Sequence, residues 1–146
     1  MPRKFYLSHS IDIEVPFFDV DPMNIVWHGH YVKYFELARC ALLDKIGYGY
    51  TVMHQHGYTW PIVKMQCKYI RPARFEQRLR VDVFLTEYES CLQCDYVLCD
   101  AVSGEVLHRA STTQAAVHIA SGELQWQTPA SWRQAVEACL QTKENP

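Results

Sequence analysis

The chain has 146 residues and a mass of 17.0 kDa, the size of one domain, since domains run about 100 to 200 residues and a chain near 150 buries roughly 70% of its unfolded surface. Hydrophobic residues make up 49% and charged residues 21%, which excludes the composition that keeps disordered chains unfolded. With 14 basic and 16 acidic side chains the net charge is -2, so the basic footprint of a nucleic-acid binder is missing and no nucleic-acid partner is expected.

The opening residues MPRKFYLSHSIDIE place two basic residues before only three apolar ones, short of the apolar region of about 7 to 15 that an export signal needs. No run of about 18 apolar residues is present to span a membrane. A cytoplasmic protein is expected, and in that reducing setting Cys40, Cys67, Cys91, Cys94, Cys99 and Cys139 read as small buried hydrophobes rather than bridges. Without an internal repeat or a Pro/Gly/Ser-rich linker, residues 1–146 are expected to form a single domain.

Along residues 9 to 17, Ser10, Asp12 and Glu14 alternate with Ile11, Ile13, Val15 and Phe17, the period of two of a half-buried strand. Asp19, Asp21, Pro22 and Asn24 then mark a loop. From about His28 to Ile46 the spacing of Tyr31, Tyr34, Phe35, Ala38, Ala41 and Leu42 predicts an amphipathic helix, with Lys33, Glu36, Arg39 and Asp44 on its polar side and Gly47 as its C-cap. A loop through His54 and His56 follows. Four strands are predicted over 60–70, 78–89, 91–100 and 105–120, read as a long antiparallel meander, and a short helix over 129–141 closes the chain. One long helix cannot stay buried alone, so an α+β arrangement is expected, with a curved antiparallel sheet wrapped around it. Phe84 and Tyr96 are placed on the outer sheet face, where a second copy would have to cover them.

Reactive groups are densest in the loop that enters the helix, Asp19 to Tyr31. A carboxylate there gains from exposed N–H groups and the helix dipole, and the same amides can stabilise an oxyanion. Asp19 and Asp21 also fit a plain turn or capping role. His28 with His30, and His54 with His56, lack a third ligand, and two-residue spacing on a helix points side chains apart, so no metal is expected. Cys91 and Cys94 have CxxC spacing inside a strand pattern and read as core. Signatures for a serine hydrolase elbow, a phosphate-binding loop or a dinucleotide fold are missing.

The stretch Phe18 to Arg39, FDVDPMNIVWHGHYVKYFELAR, resembles the active-site segment of the 4-hydroxybenzoyl-CoA thioesterase family of hotdog-fold enzymes. Val63-Lys64-Met65 and Tyr69-Ile70-Arg71-Pro72-Ala73-Arg74 resemble the strand and turn that follow the helix in the same proteins. The resemblance implies a hotdog fold, a homodimer or homotetramer with active sites between protomers, and hydrolysis of an acyl-CoA or acyl-carrier-protein thioester without metal or redox cofactor. Asp21 matches the catalytic Asp, as nucleophile or as general base on water. His28 matches the residue whose backbone N–H polarises the thioester oxygen. The family's Gly three residues after that Asp is Asn24 here, the non-Gly residue that best tolerates left-handed geometry, and its amide could hold a water or substrate oxygen.

Coenzyme A and phosphopantetheine carry phosphates, which nominates Lys64, Arg71 and Arg74 as substrate contacts, although solvated strand-end charges would look the same. Ile25, Trp27, Tyr31 and Met65 are candidates for the acyl pocket and would equally be ordinary core. Glu36 reads as an ion-pair partner of Lys33 or Arg39, with a catalytic role held open because a helical Glu is catalytic in another hotdog branch. The rival readings are a hotdog 3-hydroxyacyl hydratase or dehydratase and a non-catalytic acyl-CoA or acyl-carrier binding module.

Overall fold

The computed structural model describes residues 4–144; the first three residues of the stretch read for an export signal lie outside them. In chain order the elements are β1 (Leu7–Glu14), a 3-10 turn (Phe17–Asp19), a second 3-10 turn (His28–His30), α1 (Tyr31–Ile46), α2 (Tyr50–Gln55), β2 (Tyr58–Thr59), β3 (Ile62–Tyr69), β4 (Arg78–Glu87), β5 (Leu92–Asp100), β6 (Val106–Gln114), β7 (Val117–His118) and α3 (Ala130–Glu144). The main sheet is antiparallel and ordered β1-β4-β5-β6-β3, with β2 and β7 paired separately. It is not the simple meander expected: β4, β5 and β6 follow one another, but β3 pairs with β6 and β1 with β4, which leaves β1 and β3 as edges.

Period-two patterning sets which face is buried. Leu79, Val81, Val83 and Leu85 of β4 and Leu92, Cys94, Tyr96 and Leu98 of β5 all point inward and are buried. Tyr96 is therefore misplaced by the sequence reading: it lies on the inner face, where its hydroxyl meets Arg39 and Thr112. Phe84 does face outward, half-buried against Phe5 at 4.9 Å between ring centroids.

α1 lies across the inner face, burying Tyr31, Tyr34, Phe35, Ala38, Leu42, Leu43 and Ile46. Gly47 ends it at φ 85°, donating to the Leu43 and Asp44 carbonyls, while the Tyr48 N–H also reaches Leu43. The helix is α only from Tyr31, because the His28–His30 turn winds tighter. Arg39, assigned to the polar side, is buried: its guanidinium donates to the hydroxyls of Tyr50 at 2.8 Å and Tyr96 at 3.0 Å. Those contacts hold α2 against α1, in the segment read as loop.

The strand read over 60–70 is divided because Pro61 has no N–H to give a ladder; its carbonyl instead accepts from Ala115. The strand read over 105–120 breaks at the same place, between Gln114 and Val117. α3 seals one end of the core with Trp132, which packs on Tyr48 and Trp60 and donates its indole N–H to the Tyr88 carbonyl. Cys94 and Cys99 are buried, Cys40, Cys91 and Cys139 half-buried and Cys67 exposed, all as free thiols. Among the described residues no helix is long and apolar enough to cross a membrane.

Candidate active site

The loop between β1 and α1 is built on Asp19. Its carboxylate is 1% exposed and holds the first turn of α1 with both oxygens, through the Lys33 ammonium on one and the Tyr34 hydroxyl at 2.6 Å on the other. Burial alone would raise the Asp19 pKa, but the Lys33 and Tyr34 hydrogen bonds outweigh it and hold the group below the ordinary carboxylate value. Burial and the adjacent carboxylate push the Tyr34 hydroxyl up, so it stays a donor. Sequence reasoning weighed Asp19 only as a turn or capping residue; its partners lie 14 and 15 residues on, a separation that no local motif marks.

Beyond Asp19 the chain forms a small hairpin, with Val20 bridged to Val26 and Ile25 to Arg74. At its tip the Asn24 N–H donates to the Asp21 carbonyl at 2.9 Å and the Asp21 N–H to the Ile25 carbonyl at 2.8 Å. Pro22 sits second in the turn, where its ring presets φ. Asn24 has φ 65°, the left-handed conformation that favours Gly, and this explains why Asn can occupy that position.

Asp21 is half-buried, and its Oδ1 accepts the Met23 N–H at 2.9 Å. Among the described residues no donor reaches Oδ2. On the returning strand the Trp27 N–H donates to the Asp19 carbonyl at 3.0 Å. His28 then opens the 3-10 turn, so its N–H has no acceptor within the turn, and none is found elsewhere among the described residues. The loop thus holds a carboxylate oxygen and a main-chain donor that have no partner among the described residues, Asp21 at the head of the hairpin and His28 one residue beyond its returning strand.

Trp27 is 48% exposed and its ring lies on His28 and His30. It also crosses Gly29 so closely that a Cβ there would come within 2.2 Å of the indole. Tyr31 is buried, accepting the Ala73 N–H at 3.0 Å. Tyr69, named above only as part of the second matching stretch, donates its hydroxyl to the His28 carbonyl at 2.9 Å. Arg71 and Arg74 flank the same loop, lining a cavity of about 390 Å³ in which Arg71 pairs with Glu105 at 3.7 Å.

Lys64 and Met65 lie elsewhere in the molecule. Met65 packs inward on the core, and Lys64 lines a groove of about 740 Å³ on the outer sheet face with Gln66, Lys68 and Arg109. At about 3.3 Å per residue, they stand roughly 15 Å along β3 from Tyr69. That groove is therefore not beside the candidate chemistry. Glu36 is exposed and reaches Arg39 only at 3.9 Å.

Known proteins resemble this chain in sequence and in fold. A curated relative, YneP of Bacillus subtilis (strain 168), provisionally named an acyl-CoA thioesterase, is 30% identical over 77 residues, 53% of this chain and 56% of that one. The chain spans just over half the length of this relative and of a second curated one. A 1,4-dihydroxy-2-naphthoyl-CoA thioesterase from Synechocystis superposes with a TM-score of 0.80 at 21% identity, covering 88% of this chain and 95% of that one. A mutant 4-hydroxybenzoyl-CoA thioesterase complexed with 4-hydroxybenzoyl-CoA gives 0.77 at 18%, covering 88% and 98%. These two share the hotdog fold. The family model described as the thioesterase-like superfamily matches residues 15–138, and the chain belongs to that superfamily.

Proposed function

We propose that this protein hydrolyses acyl-CoA thioesters to a carboxylic acid and a thiol. The observation that carries the reading is the helix-entry loop, which holds an Asp21 oxygen and a His28 N–H that have no partner among the described residues. Asp21 acts by one of two routes. As general base it takes a proton from water, the resulting hydroxide adds to the thioester carbon, and the C–S bond breaks as thiolate leaves. As nucleophile it adds directly, expels the thiolate and forms an anhydride that water then cleaves. In both, negative charge develops on the carbonyl oxygen, where the His28 N–H supports it. The named activity of the Bacillus subtilis relative supports the same substrate class.

A homodimer completes the site in this reading. β3 is an eight-residue edge strand with Ile62, Val63 and Tyr69 exposed, and Phe17, Phe18, Met23 and Trp27 are exposed on the neighbouring loop. Such an edge invites strand pairing. Antiparallel pairing of two copies of β3 about its middle sets Ile62 of one opposite Tyr69 of the other and Lys64 opposite Cys67, which brings Lys64 of one copy towards the Asp21 loop of the other while Met65 stays near the middle of the strand. Pairing of dimers into a tetramer is the further step that the family resemblance implies.

The test is thiol release from short, long and aromatic acyl-CoAs and from acyl-carrier-protein thioesters. Asp21→Asn should lower turnover by on the order of a hundredfold or more with folding intact. Retained activity removes Asp21 from its role, thiol release only from the carrier protein moves the substrate class, and binding without release favours a non-catalytic module. Recovery of labelled solvent oxygen in Asp21 after single turnover identifies the nucleophilic route.

A further inference from the structure

The inner face of β6 carries His108, Ala110, Thr112 and Gln114. Thr112 meets the Tyr96 hydroxyl at 2.7 Å, and the Gln114 amide nitrogen donates to the Trp60 carbonyl at 2.7 Å. His108 differs: it is 0% exposed, and among the described residues neither ring nitrogen makes a well-formed hydrogen bond, the Arg109 backbone being the one polar group that acts on the ring. An apolar side chain would fill this place without burying ring nitrogens that lack well-formed hydrogen bonds, so an imidazole here requires an explanation. Burial pushes its pKa down to about 4, which leaves one N–H donor and one nitrogen acceptor at neutral pH.

Its surroundings are aromatic. Tyr31, Phe35 and Tyr69 pack around the ring at 4.9, 5.0 and 4.4 Å between centroids. Tyr31 and Phe35 are buried, whereas Tyr69 is 52% exposed, sits on edge strand β3 and is tied by one hydroxyl to His28. Tyr69 is thus the one exposed wall of the three, and it separates His108 from the loop that holds Asp21.

We propose that His108 is a specificity-determining residue that hydrogen-bonds a hydroxyl carried by the acyl group of the substrate, reached when the Tyr69 ring rotates about its own long axis with its hydroxyl still on the His28 carbonyl. This rests on the thioesterase reading above. A hydroxyl both donates and accepts, as the neutral imidazole does, and flat apolar walls suit the body of such an acyl group. A site built to hydrogen-bond a hydroxyl discriminates against the analogue that lacks it, because the protein's polar group is then left unpaired.

The experiment compares kcat/KM for two matched pairs, benzoyl-CoA with its para-hydroxy counterpart and hexanoyl-CoA with its ω-hydroxy counterpart, in wild type, His108→Leu and His108→Gln. The wild type should prefer at least one hydroxylated member by about tenfold or more. His108→Leu should abolish the preference, and His108→Gln, which keeps a donor and an acceptor, should retain part of it. An unchanged ratio in His108→Leu overturns the proposal, as does a wild type that cleaves both members of each pair equally. Imidazole nitrogen NMR of wild type titrated with the matching free acids reads the contact without turnover: the His108 resonances should move with a hydroxylated acid and not with its unsubstituted partner. Should wild type release no thiol from any thioester, the hydrolase reading fails, while the NMR arm still decides the contact at His108.

Discussion

The hydroxyl of Tyr69 lies 2.9 Å from the main-chain carbonyl of His28. This bond joins the end of edge strand β3 to the peptide that opens the helix-entry turn, and so orients the neighbouring main-chain donor of the proposed oxyanion site. Tyr69→Phe keeps the ring and removes the tether. It should lower kcat by about tenfold, since small misplacement of a catalytic group is costly, with a smaller change in KM and an unchanged circular dichroism spectrum. Steady-state kinetics of thiol release check it.

Asp19 anchors the same loop from below, and its depressed pKa carries a pH dependence. A carboxyl group whose pKa is lower folded than unfolded contributes stability that is fully present above the unfolded value, near 3.9. That contribution is lost as pH falls through the lower folded value. Asp19→Asn removes the charge paired with Lys33 and weakens the Tyr34 contact, and should cost about 1–3 kcal/mol at neutral pH. Urea unfolding of both proteins at pH 7 and pH 3 should show the difference narrowing at the lower pH.

His108 has the opposite protonation chemistry and a higher pH window. Unfolded, it takes up a proton near pH 6.5; folded, burial holds this off to about pH 4. The folded state therefore binds fewer protons between those values, and stability falls as pH drops from 6.5 towards 4. The side chains packed on the ring, Tyr31, Phe35 and Tyr69, carry no charge at these pH values. His108→Leu should flatten the stability profile in that window, measured by thermal melts at half-unit pH steps.

Asn24 holds φ 65°. Asn24→Gly should be tolerated within a few tenths of a kcal/mol, whereas Asn24→Val should cost about 1–2 kcal/mol, the penalty for left-handed backbone in an L-residue. Activity should fall with the valine variant, because the same turn carries Asp21. Chemical denaturation and thiol release read the two effects separately.

Val63 lies exposed on β3. If two copies pair through this strand, Val63→Lys should place like charges close together across the two-fold and shift the protein towards monomer, with parallel loss of activity. Sedimentation velocity at several concentrations checks the assembly.

Much of the fold is legible along the chain. The alternation of Leu79, Val81, Val83 and Leu85, the helical spacing of Tyr31, Tyr34, Phe35, Ala38 and Leu42, and Gly47 as a left-handed cap are local patterns, and the structure follows each. Strand order is not local. That β3 leaves its neighbours in sequence to pair with β6 depends on which edges are free once the other strands have assembled. Arg39 was misread for the same reason: on helix periodicity alone it belongs to the polar side, and only the approach of Tyr50 and Tyr96 gives its guanidinium partners in the interior.

The sequence by itself determined the type of most elements, the turn chemistry of Asp21-Pro22-Met23-Asn24 and the identity of the residues nominated for chemistry, because backbone preference and side-chain period act over a few residues. Tertiary structure alone decided that Asp19 is a buried anchor rather than a cap, that Tyr69 grips His28, and that His108 sits among three rings with no well-formed hydrogen bond to either nitrogen among the described residues. Those relationships join residues 14 to 77 positions apart, and such contacts arise only when the helix packs against the sheet, where burial and hydrogen bonding are settled together.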